Sequence, residues 1–406
     1  MNAEKTHITI EQNTEIIKRY AFLERAAMRA LAGWLPGVPE WEAKNEFGLH
    51  IWESADHVEL IYQRLRELRT HSPERGLSEA LRKFGDELAH AGNTAEVIAG
   101  VYLVAKKGLL GALRQHPDAT WSAFDSPTVK VAEKLFPALE RQVAWAETFL
   151  PTIAAHYPGY EAWQHYLTAL LASDGGVTGS DPQSDMPIRP DGHALLLPFQ
   201  QCQREQGWPI FDPEVDSEPD RKTQPEAHRA WRFKHYLNEM TAAETLGSIL
   251  WMTPEMTWEY QYNVARHLWD EIRHSQLGQI RMQQLGMKIS DVPQVVQIYN
   301  VMMTLPAVDQ YALLTTVIEP NGMPEKVANR EHWEAIDDEI SAAAVSYDWS
   351  DENFHVRWGK KWTPVLLETY GYTETPEQIA KRTEAWLLEN TPVKMQQKMA
   401  VENKPR

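Results

Sequence analysis

The chain has 406 residues, of which 43% are hydrophobic and 24% charged, a composition typical of a folded globular protein. Its formal net charge of −17 argues against a protein that wraps nucleic acid, because binding the phosphate backbone requires clustered lysine and arginine. The single cysteine, Cys202, excludes intrachain disulfides, cysteine-rich zinc sites and iron–sulfur clusters ligated by the cysteines of one chain.

Hydrophobic residues recur at steps of three and four from about 11 to 151, which predicts a series of helices. One more helix is expected from about 157 to 172. Glycine, proline, aspartate and serine dominate from 174 to about 226, so this stretch is predicted to be irregular. Helical periodicity then returns over 228–286, 295–319 and 330–369.

The N-terminal segment has no apolar signal core, and no run of about 18 apolar residues occurs anywhere in the sequence. We therefore expect a cytoplasmic protein without a membrane span. The negative charge leads us to expect no nucleic-acid partner.

An internal repeat relates the two helical parts. Residues 50–57 read HIWESADH and residues 267–274 read HLWDEIRH, so two histidines, a tryptophan and the acidic residue after it coincide. The repeat predicts two helical bundles in tandem, joined by a long irregular connection rich in proline and glycine. The predicted segments are a first bundle over 1–155, a connecting helix and excursion over 156–227, a second bundle over 228–370, and a C-terminal helix and tail over 371–406.

The second half contains the pattern Asp-Glu-x-x-His twice, at 270–274 and at 351–355. A Glu and a His three residues apart lie on one face of a helix, so both can bind the same cation. A dinuclear carboxylate site in a four-helix bundle also needs one Glu from each of the other two helices. Helix rise and loop length place each of these roughly 30 residues upstream of its motif.

Glu319 lies 33 residues before Glu352, and Glu239 lies 32 residues before Glu271. Glu244, 27 residues before Glu271, competes with Glu239 for the first-helix position. Five residues at about 100° each place the two glutamates on different helix faces, and we favour Glu239.

The predicted metal ligands, which are also the predicted catalytic residues, are Glu239, Glu271, His274, Glu319, Glu352 and His355. Four carboxylates and two imidazoles suit iron or manganese better than zinc, and four carboxylates balance two divalent cations. Each ligating imidazole also needs an acceptor for its second nitrogen. We expect Asp270 to reach His355 and Asp351 to reach His274, in a crossed arrangement. We expect His50 and His267 to pack or hydrogen-bond near the site.

The first half departs from this pattern. Ser54 stands where Glu271 stands in the second half, and Val143 replaces the last histidine. A count of 33 residues back from Glu140 gives Lys107, and a lysine in the site would repel a metal ion. The first half is therefore predicted to be a degenerate copy with a structural or partner role. The alternative is a mononuclear site that uses His57 with Glu24, Glu53 or His50.

The order Glu, Glu-x-x-His, Glu, Glu-x-x-His resembles that of the ferritin-like di-iron carboxylate superfamily. The residues 351–362, with Glu319-x-x-Gly322 before them, resemble a bacterial ferritin-like family of largely unassigned function. The resemblance covers roughly 234–362 and reaches the first half only through the repeat. It implies an all-α fold of two ferritin-like bundles, two iron ions or a manganese–iron pair as cofactor, and dioxygen as co-substrate.

The leading hypothesis is a di-metal oxygenase or oxidase that hydroxylates or desaturates a small organic molecule, with electrons from an external donor. One alternative is a ferroxidase or peroxide-scavenging ferritin-like protein. Another is a metal-free helical scaffold for protein interaction. The sequence leaves open the substrate, the choice between two irons and a manganese–iron pair, the electron donor and the oligomeric state, with a dimer as one option.

Overall fold

The computed structural model describes residues 7–70, 72–211 and 218–390. Within these ranges the chain is all-α, as the sequence predicts: it has no strand, and only an isolated bridge pairs Ile210 with Gln294. In the same ranges, no helix is both long enough and apolar enough to cross a membrane. The last part of the predicted tail, 391–406, lies outside the described residues.

The chain divides into two compact units. The first unit comprises Met1–Trp34 and His50–Leu197, and the second comprises Leu35–Leu49 and Pro198–Arg406. The predicted four-part division at 155, 227 and 370 rests on sequence texture and stays a prediction.

The first unit consists mainly of helices between Ile10 and Ser173, and its last residues, 174–197, contain no helix. Ser78 and Asn93 each cap a helix by accepting a hydrogen bond from a backbone N–H three residues on, which satisfies a group that the helix itself leaves unpaired. A π-helix, Ala99–Lys106, joins two of the helices. The helices are α1 Ile10–Trp34, α2 Trp41–Glu67, α3 Glu79–Ala89, α4 Thr94–Ile98, α5 Lys107–Ala119, α6 Ser126–Ile153 and α7 Tyr160–Ser173, and the first turns of α2 belong to the second unit.

The second unit begins, after the start of α2, with an irregular stretch. Gln203 and Phe211 attach this stretch to the unit through backbone hydrogen bonds to Pro36 and Gln294. A second π-helix, Leu314–Ile318, joins two of the helices that follow. These helices are α8 Pro225–Leu237, α9 Met240–Met252, α10 Trp258–Gln284, α11 Gln297–Met302, α12 Ala307–Leu313, α13 Glu319–Ala335, α14 Glu339–Thr369 and α15 Pro376–Asn390.

Four helical segments of this unit pack together: α8 with α9, α10, α12 with α13, and α14. Helix α10 contacts α8, α9 and α14, and α14 also contacts α12 and α13. Two glycines allow close approaches between them. A Cβ on Gly278 of α10 would lie 2.1 Å from the backbone nitrogen of Leu237 in α8. A Cβ on Gly359 of α14 would lie 2.6 Å from the side chain of Thr315 in the π-helix. These contacts hold α10 against α8, which precedes Glu239, and α14 against the π-helix, which precedes Glu319.

Candidate metal centre

Two neighbouring groups of acidic and imidazole side chains meet between the four segments. The first, which we call the inner cluster, consists of His267, Glu271, Glu319 and His355, and all four residues are buried. One potential ligand atom from each of them lies within 4.8 Å of the others. Nε2 of His267 is 2.8 Å from Oε1 of Glu319 and 3.3 Å from Oε1 of Glu271. The inner cluster therefore offers two carboxylates and two imidazoles around one point.

The second group, which we call the outer cluster, consists of Glu239, His274, Asp348 and Glu352. Nδ1 of His274 lies 3.1 Å from Oε2 of Glu239 and 3.5 Å from Oδ1 of Asp348. The same nitrogen is 3.5 Å from Oε2 of Glu271, while Oε1 of Glu271 faces His355 at 3.4 Å. Glu271 thus stands between the clusters and presents one oxygen to each.

Helical periodicity explains why these side chains meet. On α10, His267, Glu271 and His274 follow one another at steps of four and three, which keeps them on one face of the helix. On α14, the residues that follow one another at the same steps of four and three are Asp348, Glu352 and His355. The residue four positions before each motif glutamate is therefore the signal that could have identified His267 and Asp348 from the sequence.

The π-helix Leu314–Ile318 comes directly before Glu319. A π-turn widens the helix by one residue, and such turns occur frequently at functional sites because they redirect a side chain. Here the turn packs against α14 at Gly359, and Glu319 is the first residue after it.

The two histidines of the Glu-x-x-His motifs are each contacted by an aspartate through the second ring nitrogen. Nε2 of His355 is 3.3 Å from Oδ2 of Asp270, and Nε2 of His274 is 3.3 Å from Oδ2 of Asp351. Arg273 binds both aspartates and so fixes their positions. This is the crossed arrangement expected from the sequence. With Nε2 donating to an aspartate, the lone pair on Nδ1 of each ring is directed into the clusters.

Most of the candidate ligand atoms make no hydrogen bond of normal geometry with the residues that the structure describes, although several lie close to one another. A buried polar atom without a partner costs roughly 1–3 kcal/mol, so several at one place call for a bound group. The donor set consists of carboxylate oxygens and imidazole nitrogens, which is what a transition-metal cation binds. The atoms are Oε2 of Glu239, both carboxylate oxygens of Glu319, Oε2 of Glu352, Nδ1 of His274, Nδ1 of His355 and both ring nitrogens of His267.

The electrostatics of the clusters show an excess of negative charge. Burial raises the pKa of Glu239 to about 7 and also raises the pKa of Glu319. Burial by itself would lower the pKa of His355, but Asp270 and Glu352 outweigh it and raise that pKa to about 10. Without a metal ion, the carboxylates thus stabilise the protonated, positively charged imidazole. A bound cation would supply that positive charge instead.

A lysine that the sequence reasoning did not identify completes the outer cluster. Nζ of Lys326 lies 2.6 Å from Oδ1 of Asp348 and 3.0 Å from Oε1 of Glu352. The five carboxylates of the two clusters and this one ammonium leave four negative charges, which two divalent cations would neutralise.

All six predicted ligands lie in the two clusters. Glu244 does not: its carboxylate is 2.6 Å from Nζ of Lys44 and 2.6 Å from Nη1 of Arg204, in a separate buried ion pair. The structure also adds His267, Asp348 and Lys326 to the predicted set. The role of the six residues as metal ligands stays a prediction.

Residues 187–390, half of the chain, match the family described as "Protein of unknown function (DUF455)". The chain belongs to this family. The DUF455 match contains both clusters, with the aspartates behind them and Lys326. Neither the curated proteins nor the solved structures include a match to the chain.

The first unit carries a different arrangement, in a part of the chain that precedes the DUF455 match. Nζ of Lys106 lies 2.9 Å from Oε2 of Glu24 and 2.7 Å from Oγ of Ser54, and Nδ1 of His57 is 3.0 Å from Oε1 of Glu24. The count along the sequence pointed to Lys107, whose side chain is 57% exposed and pairs with Glu147. The buried lysine is instead Lys106, at the end of the π-helix Ala99–Lys106.

Proposed function

We propose that this chain is a dinuclear metal enzyme that uses dioxygen to hydroxylate or desaturate an organic substrate, with electrons from an external donor. The observation that carries the proposal is the convergence of buried carboxylate oxygens and imidazole nitrogens that lack hydrogen-bond partners among the described residues. The inner and outer clusters would each hold one ion, with Glu271 shared between them. Carboxylate-rich clusters with imidazole donors favour two irons or a manganese–iron pair over zinc.

Bound iron supplies the redox chemistry with dioxygen, and the protein supplies geometry and a dry environment. Asp270 and Asp351 fix the orientation of His355 and His274 through the second ring nitrogen of each. The inner cluster is buried, whereas the side chain of Glu239 is 27% exposed. We therefore place the approach of the substrate at the outer cluster, next to Glu239.

The proposal includes a ferritin-like origin for both helical parts. The four segments around the clusters follow the order of a ferritin-like bundle, with glutamate on the first and third segments and Glu-x-x-His on the second and fourth. The first unit is proposed to be a degenerate copy, joined to the second by the irregular proline- and glycine-rich connection. Two observations support this: the ammonium of Lys106 contacts Glu24 and Ser54, and His57 contacts the other oxygen of Glu24. In addition, a π-helix ends at Lys106 in the first unit, and a π-helix ends directly before Glu319 in the second.

Metal analysis tests the proposal. The chain is purified from cells supplied with iron and manganese, together with the variant Glu352→Ala/His355→Ala. We expect about two iron or manganese ions per chain in the wild type, and their loss in the variant. A folded wild-type protein without metal would contradict the proposal and favour a helical scaffold. Continued oxidation of added Fe²⁺ with accumulation of ferric iron would favour the ferroxidase alternative.

A further inference from the structure

We propose that the two metal positions are not equivalent: the inner cluster binds its ion tightly, and the ammonium of Lys326 competes with the ion of the outer cluster. This inference rests on the dinuclear centre of the proposed function. It concerns how the two positions fill, which the ligand pattern in the sequence does not address.

The inner cluster offers its donors to a cation without competition. Glu319 and Glu271 each lie within 3.5 Å of an imidazole nitrogen. In the part of the chain that the structure describes, no lysine or arginine makes an ion pair with either carboxylate. Both oxygens of Glu319 lack a hydrogen-bond partner in this part of the chain. An ion that enters the inner cluster therefore displaces no lysine or arginine of the described residues from these two carboxylates.

The outer cluster already holds a cationic group. Lys326 contacts both carboxylate oxygens of Asp348, at 2.6 and 2.8 Å, and Oε1 of Glu352 at 3.0 Å. Its Nζ is also 4.0 Å from Oε1 of Glu239. Three of the carboxylates that would bind the outer ion therefore face the ammonium. The ion and the ammonium compete for the same oxygens and repel each other at short range.

Lys326 is held in this place by its own helix and by a tyrosine. It lies seven residues after Glu319 on α13, two turns along the same face. The hydroxyl of Tyr236 donates to Oδ2 of Asp348 at 2.7 Å, so the acceptor of the lysine is itself fixed. The side chain of Lys326 is only 14% exposed, and an ammonium buried to this degree leaves its carboxylates only when another cation replaces it.

The test is a titration of metal-depleted protein with Mn²⁺ alone, without oxygen, in which free Mn²⁺ is measured by electron paramagnetic resonance. We expect two binding steps in the wild type, one tight and one weak. Lys326→Met should strengthen the weak step about ten-fold or more and leave the tight step unchanged, because it removes one like charge at short range. Lys360→Met, on the exposed side of α14, is the matched control and should change neither step.

Two further variants make the assignment specific. His267→Gln should weaken only the tight step, because His267 belongs to the inner cluster alone. Lys326→Gln keeps a hydrogen-bond donor for Asp348 while it removes the charge, so it replaces Lys326→Met if that variant unfolds. Thermal unfolding identifies folded variants.

Equal Mn²⁺ affinities at both positions, unchanged in Lys326→Met and Lys326→Gln, would overturn the inference and leave the dinuclear centre in place. Strengthening of the tight step instead of the weak one would overturn it as well. Absence of Mn²⁺ binding from the folded wild type and from every folded variant would overturn the proposed function itself. The failures of the two proposals are therefore distinguishable.

Discussion

At the residue scale, Glu239 and Glu244 are only five residues apart but have unrelated surroundings. Glu239 is the second of the two residues between α8 and α9, and its Oε2 lies 3.1 Å from Nδ1 of His274. Glu244 lies inside α9 on another face, where Lys44 and Arg204 neutralise it. Both are acidic residues of one helical segment, and only their partners determine which of them could bind metal.

Glu239→Ala should therefore lower the metal content from about two ions to about one per chain, because the outer cluster loses a ligand. Glu244→Ala should retain the metal but lower the free energy of unfolding by about 3–5 kcal/mol, because it leaves Lys44 buried without its carboxylate. Elemental analysis and urea denaturation measure the two effects. The reverse pattern, with metal lost only in Glu244→Ala, would show that the ligand assignment is wrong.

At the element scale, the site depends on how closely α10 approaches α8. Gly278 lies where a Cβ would meet the backbone of α8, 2.1 Å from the nitrogen of Leu237 and 2.7 Å from the carbonyl oxygen of Phe233. Backbone cannot move aside as a flexible side chain can, so a larger residue must push the helices apart. Glu239 lies two residues after the end of α8, so its distance to His274 depends on the same approach.

Gly278→Ala is expected to lower the free energy of unfolding by about 1–3 kcal/mol and to weaken metal binding. Gly322→Ala is the matched control, because among the described residues no atom outside the adjoining backbone of α13 lies within 4 Å of the added methyl group. It should raise the stability by about 0.5–1 kcal/mol through helix propensity. Equal effects of the two substitutions in urea denaturation would contradict the role of the close approach.

At the scale of the whole molecule, the two units carry buried clusters of opposite character. The second unit collects five carboxylates and one ammonium, which contacts two of them, Asp348 and Glu352. The first unit pairs the carboxylate of Glu24 with Lys106 and His57, both at 3.0 Å or less. Burial raises the pKa of Glu24, but Lys106 and His57 outweigh it and lower that pKa to about 2. A glutamate held in this way stabilises the fold as an ion-pair partner.

Glu24→Gln tests this difference between the units. Since the folded-state pKa lies below the ordinary 4.5, the stabilisation by Glu24 is complete above pH 4.5 and is lost as the pH falls towards 2. The variant should lower the unfolding free energy at pH 7 by about 3–5 kcal/mol and lose this acid-dependent part. Its metal content should equal that of the wild type. Loss of metal would instead place a ligand in the first unit.

The sequence by itself determined the all-α class, because steps of three and four between apolar residues recur over most of the chain. It also placed Glu239, Glu271, His274, Glu319, Glu352 and His355 in one set, because ligand spacing on a helix is a local property. The proline- and glycine-rich connection between two bundles stays a prediction; between Ser173 and Pro225 the described residues contain no helix.

Only the tertiary structure decided which side chains, beyond the six predicted residues, lie in the two clusters. His267 and Asp348 share a helix face with the predicted motifs, yet only packing between helices showed that they face the same space. Lys326 and Lys106 carry no ligand-like pattern, and their importance arises from the carboxylates that other helices bring to them. The physical reason is that the spacing of residues along one helix determines which side chains share a face. The net charge of a site, by contrast, is the sum of the charges of side chains from all the helices that meet there.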